Sequence, residues 1–231
     1  MDVELGEELA EGLFLSLGEP GEAEFLGLEG LLPIIERRRG GESGVKSVRA
    51  VLGEDVWKLV ARGDFSEKLL AAAVSRSDRP QGDPVKDGRT QDLVGLGLVA
   101  KLAQDPAAYL LEHFDGLRST VLVLNGVVGD LNFAVHGRGA VHGRGAVQGR
   151  GGKVTSAQLH RPPGGRGLDR LAQVLTGFFE DGKRSWPIER SLLEAGLLAS
   201  LRKARSAGGA RIETPELRIA YEAVKEPLFG E

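Results

Sequence analysis

Cysteine is absent from the 231 residues, which excludes disulfides, thiolate nucleophiles and zinc sites built on cysteine. No apolar run approaches the ~18 residues that a membrane-spanning helix needs. Leu93 to Ala100 stops at Lys101, and Val121 to Val128 is split by Asn125. Lys and Arg are missing through Glu36, a stretch that holds ten acids. That is the reverse of the positively charged start of a signal peptide, so a cytoplasmic chain without a membrane anchor is expected. An excess of positive charge is missing too. Thirty Lys and Arg stand against 33 Asp and Glu, a net charge of −3, so the surface as a whole is not built to meet nucleic acid. Any such role must be local.

What is present is ordinary for a folded chain: 41% hydrophobic and 27% charged residues, enough for one generous domain or two small ones. Glu24 to Arg39 reads as a helix, with Phe25, Leu28, Leu31, Leu32 and Ile35 on its apolar side and a kink or late start expected at Pro33. Gly40-Gly41 is its stop signal. Val45 to Leu52 alternates as a strand, and Val56 to Ala61 is expected to continue it after a Gly53-Glu54-Asp55 turn. Ser66 caps a helix over Glu67 to Arg76, and residues 77 to 92 read as a loop. Ala107 to Phe114 and Leu117 to Asn125 flank Asp115-Gly116, a two-residue hairpin signal. Asp130 to His136 and Lys153 to His160 form a second pair, Leu168 to Glu180 and Pro187 to Ala207 two helices, and Ala210 to Tyr221 a last strand broken at Pro215. The sum is an α+β fold, a largely antiparallel open sheet with helices packed on one face. Residues 1–22 are expected to be an acidic amino-terminal segment, 23–222 a single domain and 223–231 a tail.

The 34 glycines are densest from His136 to Lys153, where HGRGAV, HGRGAV and QGRGGK stand in tandem. From Leu131 to Leu168 there is no acid, while Arg138, Arg144, Arg150, Lys153, Arg161 and Arg166 make a basic island. Such a segment suits RNA or an acidic partner, yet no Phe or Tyr lies between Val135 and Phe178 for bases to stack on. The competing reading is an expanded hairpin loop. His136 and His142 would meet on a metal only if that loop folded back, and no metal site is expected. Gly95, Gly97 and Ala100 spell GxGxxA, a weak dinucleotide fingerprint. Polar residues precede it, so a glycine-containing helix packed closely on a neighbour competes with it. No P-loop occurs.

Glu112, His113 and Asp115 end a strand, where alternation points Glu112 and His113 to opposite faces and leaves turn chemistry for Asp115. The most distinctive segment is Glu36-Arg37-Arg38-Arg39-Gly40-Gly41-Glu42-Ser43-Gly44-Val45. Its guanidinium forks suit a carboxylate, phosphate or sugar hydroxyls, and they equally suit a helix terminus whose charges pair among themselves.

Taken in order, Leu28-Glu29-Gly30-Leu31, Ile35 through Val45, Asp115-Gly116-Leu117-Arg118, Val121-Leu122, Leu124-Asn125-Gly126, Glu189-Arg190-Ser191-Leu192-Leu193, Gly196 and Glu213-Thr214-Pro215 resemble the carboxy-terminal part of Gfo/Idh/MocA oxidoreductases. The resemblance spans most of residues 20 to 222. It implies a group with an amino-terminal Rossmann domain for NAD or NADP, followed by an α+β domain whose open sheet packs subunits together and whose first helix faces the nicotinamide. The sequence matches the second half and carries neither a strand followed by GxGxxG nor a Glu-Lys-Pro. The resemblance therefore implies a substrate-binding and oligomerisation domain, taking a small sugar or polyol, that needs a nucleotide-binding domain or subunit to act as an NAD(P)-dependent oxidoreductase. No cofactor is expected to bind this chain alone. Glu29, Glu36, Arg37 and Arg38 fall on the substrate-facing helix it implies. With Glu42 they are the candidate ligand contacts, arginines holding anionic or hydroxyl oxygens and carboxylates accepting hydroxyl protons.

Overall fold

The computed structural model describes residues 4–79, 92–138, 152–159, 166–182 and 184–225. Seven strands form one sheet in the order β6-β5-β1-β4-β3-β2-β7. They are β1 (Leu9–Ser16), β2 (Val45–Leu52), β3 (Gln104–His113), β4 (Arg118–Asn125), β5 (Leu131–Gly137), β6 (Val154–Leu159) and β7 (Arg211–Glu213). Only β1 against β4 is parallel, and the other pairings run antiparallel. The fold is α+β with a mostly antiparallel open sheet, as the turn spacing implies.

Two differences from the sequence reading concern the strands. Residues 9–16, within the stretch read as an acidic amino-terminal segment, form β1, an interior strand of the sheet, and Leu13, Phe14 and Leu15 are buried. Val56 to Ala61 does not continue β2 but forms α2 (Asp55–Arg62), closed by Gly63 in the left-handed region at φ 72°. Val56 and Leu59 meet on its buried side, a spacing of three that a short helix satisfies and a strand does not.

The long helices α1 (Glu22–Ile35) and α6 (Ile188–Ser206) cover one face, packing with Phe14, Val48, Tyr109 and Val121. The opposite face is not bare, a correction to the expectation of helices on one face. There α2 and α3 (Glu67–Val74) join the one-turn α4 (Val99–Leu102) over Leu13, Leu15, Leu122 and Ala134. Strand alternation explains both layers, since neighbouring residues of β1 and β4 feed opposite cores. Ser66 caps α3 as expected, accepting from Leu69 N–H. Helix α5 (Arg166–Asp181) leaves Leu175, Phe178 and Phe179 exposed. No helix among the described residues is long and apolar enough to cross a membrane.

Two glycines set how closely α1 lies on the sheet. A Cβ at Gly27 would come within 2.2 Å of Val121, and one at Gly30 within 2.1 Å of the Phe14 ring. Pro33 stands inside α1 without ending it.

Candidate functional site

At its carboxy-terminal end α1 runs into a glycine corner, with Gly40 and Gly41 at positive φ, which turns the chain so that Glu42 returns beneath Arg38. Arg38 donates through Nη1 to Glu42 Oε2 at 3.0 Å, through Nη2 to Glu42 Oε1 at 3.1 Å and through Nε to Asp115 Oδ2 at 2.7 Å. Glu42 also accepts from the backbone N–H of Ser43 and Gly44 and from His113 Nδ1 at 2.8 Å. The other ring nitrogen of His113 pairs with the Ser119 hydroxyl at 2.8 Å. Burial opposes ionisation of Glu42, but the charge and hydrogen bond of His113, then those of Arg38, hold its carboxyl far below the usual range. Asp115 is lowered in the same way, against its partial burial, by Arg38 and Leu117 N–H. Burial works against the Arg38 charge, and Glu42 and Asp115 outweigh it.

Ser119, His113 and Glu42 thus stand in the order of a nucleophile, a base and an orienting carboxylate. Access decides against that use, because Ser119, His113 and Glu42 are each only 1% exposed. Ser119 shares its strand face with Val121 and Val123, towards the α1 core, while Arg118 and Thr120 point to the other side. With no opening to the hydroxyl, the relay ties the α1 corner to the β3–β4 hairpin.

A second set of polar groups runs between α1 and α6, which are antiparallel neighbours. Near the start of α1, Glu24 accepts from Tyr109 Oη at 2.7 Å and from Arg205 Nη1 at 2.8 Å, and its other oxygen caps Gly21 N–H. At the far end Arg190 holds Glu36 with a two-point fork, one contact being Nε to Oε2 at 2.8 Å. Between these Glu–Arg rungs stands Glu29 against Glu194, two carboxyls that share a hydrogen bond. Burial and Glu29 push the Glu194 carboxyl up to about 8, so it holds its proton at neutral pH. Glu194 is 6% exposed and its Oε1 has no hydrogen-bond partner, whereas Glu29 faces solvent. Burial likewise raises Glu36 despite Arg190, while Glu24 is lowered, its burial outweighed by Tyr109, Gly21 N–H and Arg205. Phe25, Ile188 and Leu192 are exposed on the same two helices.

On the opposite face, where β2, β3, β4 and β7 run on past α2, lies a groove of about 410 Å³. Its floor carries Arg49, Glu112, Arg118, Thr120 and Arg211. These charges are locally balanced: Arg211 meets Glu112 at 2.6 Å, Arg49 meets Asp64 at 3.7 Å and Arg118 meets Glu11 at 3.3 Å.

The five candidate contacts therefore separate. Glu36, Arg38 and Glu42 are brought together as expected, but each is buried against a protein partner, so they hold the corner instead of presenting oxygens and guanidiniums to a ligand. Glu29 reaches solvent, and Arg37 is half-buried with Nη1 near the Val224 carbonyl. Gly95 and Gly97 lie in a turn before α4, and Ala100 lies within that single turn of helix. Gly95 N–H is already taken by Asp92 Oδ1. The buried strand, glycine turn and helix that cradle a pyrophosphate are not assembled there, so the residues present do not fit a dinucleotide. Of the basic island, residues 139–151 and 160–165 lie outside the described residues. No three His, Asp or Glu side chains converge as metal ligands among the described residues. Sequence reasoning missed Glu194, Arg190, Arg205 and Ser119. The first three recur on one side of α6, a spacing legible only once α1 is known to be its neighbour. No family model matches the chain, and no curated protein matches it.

Proposed function

We propose that the chain is a substrate-binding and oligomerisation domain, similar to the carboxy-terminal half of an NAD(P)-dependent sugar or polyol oxidoreductase and catalytically incomplete without a nucleotide-binding domain or subunit. The observation that carries this reading is the division of the sheet. One face is covered by α1 and α6, while the other, beyond the edge of α2, carries an open groove of locally balanced charge. A sheet face of alternating arginines and carboxylates can meet a second copy of itself, because a two-fold axis sets each positive group against a negative one. The outer side of α1, with Phe25 and Glu29, is then left for the nucleotide-binding partner. Cofactor chemistry is assigned to that partner because GxGxxA here lacks the geometry for a dinucleotide.

Light scattering coupled to size exclusion tests the pairing. The wild-type chain is expected to elute as an oligomer, and Arg211→Glu, which places a third carboxylate beside Glu112 and Glu213, as a monomer with an unchanged circular dichroism spectrum. A wild-type chain that is monomeric at all concentrations would refute the oligomerisation role. Calorimetric titration with NADH and NADPH tests the other half, with no binding expected to the chain alone.

A further inference from the structure

Helix α5 is formed without being packed. None of residues 172–180 is buried, and α5 contributes to neither core among the described residues. Leu175 and Phe178, one turn apart, are each 46% exposed, and Phe179 is 79% exposed with its ring edge-on to Phe178. A helix of 16 residues is marginal in water on its own hydrogen bonds and takes its stability from burying an apolar face. Glu180 stands at the end of α5, where the helix dipole disfavours an acid, and no cation answers it among the described residues.

Helix α6 carries a complementary surface. Outside the residues it buries against the sheet, Ile188, Leu192, Ala195 and Ala199 recur in steps of four, three and four, and all are exposed. Those are the steps of a seam between two helices. Past it lies an open depression of about 630 Å³ lined by Ala199, Arg202, Lys203, Ser206 and Ala207. Arg202 and Lys203 are exposed and meet no acid among the described residues. The alanines leave room for large side chains on a facing helix, and the two cations suit aromatic rings and a carboxylate.

Charge fixes the direction of the fit. Run antiparallel to α6, α5 sets Glu180 against Glu189 in the first turn of α6. Run parallel, with Leu175 beside Ala195, it lays Phe178 and Phe179 at Ala199 and the depression and brings Glu180 within reach of Arg202 and Lys203. The amino-terminal turns of α5 then follow the seam past Leu192 to Ile188.

The parallel fit excludes the chain's own α5. Trp186 Nε1 donates to Ser191 Oγ at 3.1 Å, which ties Trp186 to the first turn of α6 and leaves residues 182–185 as the link. Such a link reaches about 14 Å when fully extended, whereas the chain would have to run back most of the length of α5, about 20 Å. A second copy has no such restriction, and a two-fold axis lets each copy lay its α5 on the other's α6. At about 200 Å² per phenylalanine, Phe178 and Phe179 leave roughly 250 Å² open. Leu175, Ile188 and Leu192 bring one contact to roughly 500 Å² and the reciprocal pair to about 1,000 Å², the lower bound of a specific interface.

We propose that two copies of the chain exchange α5, each laying Leu175, Phe178, Phe179 and Glu180 on Ala195, Ala199, Arg202 and Lys203 of the other. The exchange goes beyond the reading above and does not rest on it, since the charged groove lies on the opposite face of the sheet. A contact of this size is expected to hold with a Kd on the order of 100 µM, weak enough to come apart at the dilution of a size-exclusion column, where sheet pairing alone is read.

The test is made on Arg211→Glu, which removes the sheet pairing. Sedimentation equilibrium from about 10 to about 500 µM, bracketing that Kd, is expected to show the mass rising from monomer to dimer. Phe179→Gln and Glu180→Lys, both at exposed positions, should each weaken the dimer about tenfold, and adding Arg202→Glu and Lys203→Glu to Glu180→Lys should restore it. The chain lacks cysteine, so Thr176→Cys on α5 takes a single nitroxide. Mixed with ¹⁵N-labelled chain that carries no nitroxide, it is expected to broaden the Ala195, Ala199 and Lys203 amide signals. A monomer throughout the range, a dimer that Phe179→Gln leaves intact, or a dimer without that broadening would overturn the exchange. Broadening of the same signals within a labelled monomer would place α5 on its own α6 and overturn it as well. A wild-type oligomer that Arg211→Glu disperses at every concentration supports the sheet pairing and refutes the exchange, and a dimer equally strong in wild type and Arg211→Glu but lost with Phe179→Gln does the reverse.

Discussion

Replacing Glu194 by glutamine should make the protein more stable in alkaline solution, although the change removes a charged residue type and adds no contact. In the native state the Glu194 carboxyl stays protonated to about pH 8, against an ordinary 4.5. The unfolded chain ionises it at the lower value. Between the two, unfolding releases a proton, so stability contributed by the protonated pair is fully present below about pH 4.5 and is lost as pH rises through about 8. A whole proton difference moves stability by roughly 1.4 kcal/mol per pH unit, which sets a ceiling of about 5 kcal/mol over that window. Solvent reaches the partner Glu29, and its screening reduces the expected effect to about 2 kcal/mol. Glutamine keeps a donor for Glu29 and never ionises.

The measurement is urea unfolding of wild type and Glu194→Gln at fixed ionic strength from about pH 5 to about pH 9, the window set by this linkage. The two should agree within about 0.5 kcal/mol at the acid end, with the variant ahead by about 2 kcal/mol at the alkaline end. Burial of Glu36 gives the wild-type curve a slope of the same sign, but both proteins share it, so the difference isolates Glu194. A difference that is flat across the range, or one that favours wild type as pH rises, would refute the assignment of the proton to this pair.

Glu42→Gln attacks the corner, where one carboxylate answers Arg38, His113 and two backbone N–H groups. Breaking a buried ion pair from one side costs about 3–5 kcal/mol, and a loss below about 1 kcal/mol in denaturant would show that the network is not holding the corner. Glu24, Glu42 and Asp115 are held below their ordinary ranges, so their stabilisation is present above those ranges and is lost as pH falls through the depressed values. The wild type should therefore lose stability steeply in acid, and Glu42→Gln, already weakened, should show a shallower limb. Gly30→Ala gains about 1 kcal/mol of helix propensity but drives a methyl into Phe14, whose Cζ stands 2.1 Å from the added atom. A net destabilisation of about 1–3 kcal/mol is expected by thermal unfolding, and an unchanged Tm would mean that α1 does not lie as close to β1 as described.

The hairpin of β3 and β4 was legible because Asp115-Gly116 sits between two apolar runs, and α3 because Ser66 precedes a helical pattern. Central β1 was not. Its residues lie in a stretch dominated by acids, and Glu11 and Gly12 interrupt an apolar run too short to separate from a buried helix. For α2 the sequence offered a strand-like run of Val56, Trp57, Leu59, Val60 and Ala61, and only its tertiary placement, Val56 and Leu59 inward, chose the helix. The corner was visible in the pairing capacity of three arginines and two glutamates. Whether those charges answer one another or a ligand depends on His113 and Asp115, distant in sequence and delivered by the hairpin. Sequence alternation correctly put Glu112 on the opposite face from His113: Glu112 lies in the groove with Arg211, and His113 lies in the core. The Glu29–Glu194 rung had no local signal, since each glutamate alone looks like a solvated helix position.

The arrangement of α1 explains why its middle is the responsive part. Gly27 and Gly30 bring the helix down onto Val121 and Phe14, and the ion pairs of Glu24 with Arg205 and Glu36 with Arg190 fix α6 beside it at both ends. Each of those rungs neutralises itself without help. The central rung does not: two carboxyls share one proton, one of them buried with an unanswered oxygen and the other open to water, on helices that also expose Phe25 and Leu192. The two outer rungs set opposite charges together and the central one sets like groups together, and departures from local consistency mark the places where function or partners impose their own demand. A surface that covered Phe25 and Leu192 would also remove water from Glu29, strengthening the shared proton and holding it to higher pH. Closure over α1 and proton retention by Glu194 are therefore coupled by the same geometry, whichever partner provides the cover.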